Sequence, residues 1–142
     1  MARKRKRRRF VLDTNVLISG LLTPEGEARE VFKRADRKGY FLLSDETFAE
    51  LKEVLYRPVF DAYLTNSDRR RFMLALLDKS VRIPVREAIM ACKDPDDDKF
   101  LEVAVSGKAA CIVTRNVRDF PSDGFRGIPI LTPAQFLAHE KS

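Results

Sequence analysis

Short apolar blocks alternate along this chain with longer stretches in which apolar residues recur at helical spacing. The first block is Phe10 to Leu12, with basic residues before it and Asp13 after it, and a helical pattern begins near Val16. A second unit opens with the strand-like Phe41 to Leu43. Ser44 follows as a helix N-cap, "ETFAELKEVL" carries the apolar stripe, and Pro58 marks the exit. "NSDRRRFMLALLD" predicts a capped helix, and Val81 to Ile83 a weaker strand. Beyond the acidic segment "DPDDD", an apolar helical pattern starts at Phe100 and ends at Gly107, and Ala110 to Val113 predicts a strand. The last unit is a strand at Ile128 to Leu131, with Thr132 as cap and Pro133 as the first helical residue.

Strand and helix that alternate in this way predict an α/β fold, a mainly parallel sheet with helices on both faces. Sheets of this kind bind ligands at the carboxyl ends of their strands, which gives the acidic residues a common address. Asp13 ends the first strand, Asn116 and Asp119 follow the strand at residues 110–113, and the aspartates at 94–98 lie in a loop that enters the sheet region. Helix geometry adds a glutamate. At about 100° per residue, Phe48, Leu51, Val54 and Leu55 form one apolar arc; Glu50 lies beside it, while Glu46 and Glu53 point toward solvent.

Composition changes this picture in two places. A chain of 142 residues with 44% apolar content is long enough for one domain with a real core. Its net charge of +6 is local. Arg3, Lys4, Arg5, Lys6, Arg7, Arg8 and Arg9 supply seven of the 27 basic residues, which leaves 20 against 21 acidic ones elsewhere. Residues 1–9 are therefore read as a basic tail, suited to nucleic-acid phosphates or simply solvated, ahead of a single domain over residues 10–142. A signal peptide and a membrane span are not supported, so a soluble, cytoplasmic protein is expected. Cys92 and Cys111, without CxxC spacing and with His139 the only histidine, argue against a disulfide framework or a thiolate zinc site.

The segment "DPDDDKF" concentrates four aspartates in five positions. At about 4 Å, two carboxylates repel by roughly 4 kcal/mol at an effective dielectric near 20. Helix capping accounts for one or two of them, not four. A calcium loop on Asp94, Asp96 and Asp98 fails because Lys99 stands at the turn glycine and Val105 at the closing glutamate. A haloacid-type phosphatase needs an acid where this chain has Asn15. Serine or cysteine catalysis lacks a base, and no glycine-rich phosphate loop is present. An oxygen-rich site for hard divalent ions survives.

"VLDTNVLISGLL", "ETFAELKEVLYRP", "DPDDDKFLEVA" and "CIVTRNVRDF", in this order, together with "ILTPAQFL", resemble the PIN-domain nucleases, and among them the VapC-type toxins of toxin–antitoxin pairs. The likeness covers nearly everything after the tail. It implies a three-layer α/β/α sandwich with about five strands. It also implies a Mg²⁺- or Mn²⁺-dependent endoribonuclease acting on RNA, with an antitoxin partner and homodimerisation. By that resemblance Asp13, Glu50, Asp97 and Asp119 are the catalytic acids, and the metal set is Asp13, Glu50, Asp94, Asp97, Asp98, Asn116 and Asp119. The phase of the helix start leaves Asp97 and Asp98 open, with the spacing Asp, Pro, any residue, Asp favouring Asp97. One departure stands out: Asn116 occupies a position that is Asp in many members. Arg115, Arg118 and the tail residues Arg3 to Arg9 are the expected RNA contacts. The alternative reading is a PIN-like module that binds RNA or protein and has lost catalysis.

Overall fold

The computed structural model describes residues 7–141. Five strands form one sheet: β1 (Arg8–Leu12), β2 (Gly39–Leu43), β3 (Ser80–Arg82), β4 (Cys111–Val113) and β5 (Ile130–Leu131). All neighbouring pairs are parallel, in the order β3-β2-β1-β4-β5. Phe10 therefore lies between Phe41 on one side and Cys111 on the other. Parallel pairing needs crossovers, which the six helices supply: α1 (Thr14–Leu22), α2 (Glu27–Lys38), α3 (Asp45–Leu55), α4 (Asn66–Asp78), α5 (Asp98–Gly107) and α6 (Pro133–His139).

Side-chain alternation along the strands divides the core in two. Phe10, Leu12, Phe41, Leu43, Cys111 and Val113 point to one face, where they pack with Val16, Val31, Leu51, Leu76 and Phe136 from five of the helices. Val11, Leu42 and Ile112 point to the other face and meet Phe100, Leu101, Val103 and Ala104 of α5. The result is the expected three-layer α/β/α sandwich with a parallel sheet of five strands.

Several boundaries depart from the sequence pattern. β1 begins at Arg8, and Arg7 to Arg9 belong to the domain. Arg7 Nη2 donates to the carbonyls of Asp36 and Gly39 at 3.1 and 3.2 Å, Arg8 pairs with Glu140, and Arg9 Nη1 donates to the Gly107 carbonyl at 2.9 Å. A tail over residues 1–9 thus runs three residues too far, and its remainder, with Arg3, Lys4, Arg5 and Lys6, lies outside the described residues. The strand expected at 128–131 is cut to two residues because the Ile128 amide donates to Phe125 at 2.8 Å and Pro129 has no amide. Helix α2 has no counterpart among the elements read from the pattern. Its buried stripe is only Ala28, Val31 and Ala35, set among charged residues, so apolar periodicity is faint. Close packing explains one glycine. A Cβ on Gly39 would lie 1.9 Å from the Arg8 carbonyl oxygen, so β1 and β2 can pair there only without a side chain. No described helix is long and apolar enough to cross a membrane.

Candidate active site

The strand order reverses direction between β1 and β4, and the carboxyl ends of these two strands carry the polar residues. Asp13 leaves β1 and caps α1: its Oδ1 accepts from the Val16 amide at 2.9 Å. Its other oxygen accepts from the Thr114 hydroxyl, and Thr114 Oγ1 in turn accepts from the Asn116 amide at 3.0 Å. Asp13 is thus fixed from the first turn of α1 and from the end of β4, and it is 6% exposed. Burial pushes its carboxyl above the usual range; the bonds from Thr114 and Val16 oppose this, the Glu50 charge adds to it and Arg115 opposes it.

Glu50 reaches the same place from the middle of α3. Its Oε2 accepts from the hydroxyl of Thr14, next in sequence to Asp13, and its Oε1 accepts from Lys99 Nζ at 2.6 Å. The helix-face reading holds: Glu46 and Glu53 are exposed, and Glu53 is bound to Arg57 at 2.9 and 3.0 Å.

The aspartate-rich segment divides by role. Asp94 Oδ1 accepts from the Asp96 amide at 2.9 Å and so starts a short 3₁₀ turn, Pro95–Asp97. Asp98 turns away and binds the amides of Ala91 and Cys92 at 3.1 and 2.8 Å. Burial opposes its ionisation, yet these two bonds hold its carboxyl below the usual range. Asp97 precedes α5 without any side-chain capping bond. It is pushed up to about 6, first by burial and then by the charges of Asp94, Asp119, Asp13 and Glu50. This crowding is the electrostatic sign that the four segments converge.

Asp13, Glu50, Asp94, Asp97 and Asn116 line one cavity of about 380 Å³, together with Asp96 and Arg57. Asp119, in the 3₁₀ turn Val117–Asp119, does not line it, but its charge is felt at Asp97. Asp98 is also outside the lining. Arg115 Nη1 donates to Ser19 Oγ at 2.9 Å, and Arg118 is exposed on the adjacent turn.

Four contributors carry little signal in the sequence. Thr114, Lys99 and Arg57 are single polar residues beside better marked ones. Arg69 is 2% exposed and fastens the α3–α4 connection through the carbonyls of Leu55, Leu64 and Arg57, at 2.7, 3.1 and 3.3 Å, which sets Arg57 at the cavity edge. Thr114 alone had a legible context, the polar positions directly after β4. The two thiols are chemically quiet: burial raises both Cys92 and Cys111 to about 12.

The model of the PIN domain family matches residues 9–118. The chain belongs to the PIN-domain family. An uncharacterized protein of Methanocaldococcus jannaschii, MJ1680, is 31% identical over 106 residues, which span 73% of this chain and 68% of that protein. Among solved structures, this PIN domain is similar to VapBC2 of Rickettsia felis, bound there to a DNA fragment from its promoter. The TM-score is 0.60 at 12% identity, over 87% of this chain and 98% of that one. FitAcB of Neisseria gonorrhoeae gives 0.59 at 17% identity, over 88% and 98%. PAE2754 of Pyrobaculum aerophilum gives 0.58 at 12%, over 93% and 88%. These likenesses establish the shared fold.

The donors of the PIN-domain cavity fit a hard divalent cation in type, being carboxylate and amide oxygens, and in charge, since the acids raise one another's proton affinity. Among the described residues, no three acidic, cysteine or histidine groups yet stand close enough together to grip an ion. Glu50 is tied to Thr14 and Lys99.

Proposed function

We propose that this PIN domain is a Mg²⁺- or Mn²⁺-dependent endoribonuclease that hydrolyses RNA phosphodiester bonds, as the toxin of a toxin–antitoxin pair. The observation that carries the reading is the convergence of Asp13, Glu50 and Asp97 on one cavity at the switch point of the sheet, with Asp97 displaced to about 6 by burial and its acidic neighbours. Family membership supports nuclease chemistry. The shared fold of VapBC2 and FitAcB supports an antitoxin partner, and homodimerisation and a cytoplasmic location go with that reading.

Asp13, Glu50 and Asp97 would hold the ion, with Asp94, Asn116 and Asp119 at the rim; Asp98 is committed to the amides of the preceding loop. A bound Mg²⁺ or Mn²⁺ supplies charge that lowers the pKa of a water and neutralises phosphoryl oxygens. The chain itself contributes fixed geometry. Val16 and Thr114 hold both oxygens of Asp13, so this carboxylate loses no rotamer freedom when it is engaged. Arg115 and Arg118 flank Asn116 in sequence, are exposed and would pair with flanking phosphates, Arg115 by leaving Ser19, and Arg3, Lys4, Arg5 and Lys6 would add non-specific attraction.

Incubating purified protein with RNA in Mn²⁺, in Mg²⁺ and in chelator tests the reading, with internal cleavage expected only with metal. One observation favours a second reading, a binding module that has lost catalysis: Asn116, exposed at the cavity, provides no charge where many family members have an acid. RNA retention without cleavage under every metal condition would favour that module.

A further inference from the structure

We propose that Lys99 is the resident counter-cation of Glu50, held there until a divalent ion takes the carboxylate over, and that it thereby sets how tightly the site binds its ion. The inference rests on the metal-dependent reading above. Lys99 lies in the first turn of α5, two residues beyond Asp97, and its Nζ is 2.6 Å from Glu50 Oε1. The two side chains are 18% and 25% exposed, against 53% and 62% for the neighbouring Arg57–Glu53 pair. Shielding makes the first pair count, whereas water screens the second.

Two other cations near the acids are already engaged. Arg57 is forked onto Glu53, and Arg115 is bound to Ser19. Lys99 is therefore the group that offsets the charge of Glu50 directly, and both Glu50 oxygens are occupied, one by Lys99 and one by Thr14. A divalent ion that recruits Glu50 to join Asp13 and Asp97 must displace or repel this ammonium. The exit is at hand. Lys99 borders a second groove, of about 450 Å³, which shares Glu50, Arg57 and Asp96 with the first and adds Glu46. A flexible four-carbon stem can carry Nζ from Glu50 toward Glu46 and Asp96 without backbone movement. Each binding event therefore includes the loss of one ion pair, and a lysine here lowers affinity while protecting the metal-free state from its own acids.

The test is calorimetric titration of Mn²⁺ into the full chain, comparing wild type, Lys99→Met, Lys99→Arg and the double variant Glu50→Gln/Lys99→Met against Glu50→Gln. Lys99→Met should bind Mn²⁺ about tenfold more tightly, and Lys99→Arg should stay within about twofold of wild type. In the Glu50→Gln background most of the Lys99→Met gain should vanish, because the partner is gone. A structural defect cannot produce tighter binding, so the direction is diagnostic; if Lys99→Met does not fold by circular dichroism, Lys99→Gln carries the same expectation. Equal or weaker binding by folded Lys99→Met or Lys99→Gln overturns the inference and leaves the metal-dependent reading standing. Failure of wild type and variants alike to bind Mn²⁺ overturns both. Binding by Lys99→Met where wild type shows none supports the inference.

Discussion

Replacing Asp97 by Asn should stabilise the metal-free protein near neutral pH while weakening its response to metal. Asp97 is displaced from 3.8 to about 6 by burial and by four nearby carboxylates, so folding at pH 7.5 forces a charge into a place that disfavours it. Roughly two units at about 1.4 kcal/mol each give an upper figure of about 3 kcal/mol. Asp97 is partly exposed, and solvent screening reduces this to about 1–1.5 kcal/mol. For a domain of this size that corresponds to a rise in Tm of about 4 °C. The pH dependence follows from the raised value: the wild type loses this part of its stability as pH climbs from 3.8 through about 6, where the folded protein must ionise. The advantage of Asn should therefore be full at pH 7.5, about half at pH 5 and nearly absent at pH 4. Thermal melts in chelator at those pH values measure it. Mn²⁺ should then raise the wild-type Tm more than that of Asp97→Asn. A variant less stable than wild type at pH 7.5, or an advantage that does not change with pH, would refute the crowding argument.

Glu50→Gln should remove cleavage while Glu53→Gln leaves it nearly unchanged, since Glu50 contacts Thr14 and Lys99 at the cavity and Glu53 only the exposed Arg57; equal losses would contradict the placement. Thr114→Val deletes the donor to Asp13 and the acceptor for the Asn116 amide, so the protein should lose about 1–3 kcal/mol of stability, read in denaturant melts. The Asp13 carboxyl, already raised by burial, should rise further and move the acid limb of the cleavage–pH profile upward. Deleting residues 2–6, which spares Arg8 and Arg9 of β1, should flatten the salt dependence of RNA binding, by about 0.7 in slope for each phosphate that this segment neutralises; identical slopes would mean that it does not touch RNA.

The strands that order the site were legible because each is a compact apolar block ended by a polar residue: Leu12 before Asp13, Leu43 before Ser44, Val113 before Thr114. Asp13 and Glu50 were legible for related reasons, one from its place after a buried strand and the other from its angle on an amphipathic helix. Which of Asp97 and Asp98 lines the cavity was not, because it turns on a single 3₁₀ turn and on the amides of Ala91 and Cys92, which lie in a loop without periodicity. Arg7 to Arg9 read as tail because charge dominates their composition. What places them in the domain is long-range: carbonyls at Asp36, Gly39 and Gly107 and the carboxylate of Glu140, up to 132 positions away. Lys99 and Arg57 were hidden because a lone basic residue next to acids has no local signature until the chain is folded.

Single-turnover cleavage of an end-labelled RNA by wild type and Asp13→Asn, side by side in Mn²⁺ and in chelator, tests the central claim most directly. Asp13 is held by Val16 and Thr114 at the switch point, and Asn keeps its shape while removing its charge. The expected result is internal cleavage by the wild type in Mn²⁺, none in chelator, and a loss of at least about 100-fold for a variant whose melting curve shows an intact fold. Wild-type rates from Asp13→Asn, or cleavage that persists in chelator, would contradict a metal-dependent nuclease centred on Asp13.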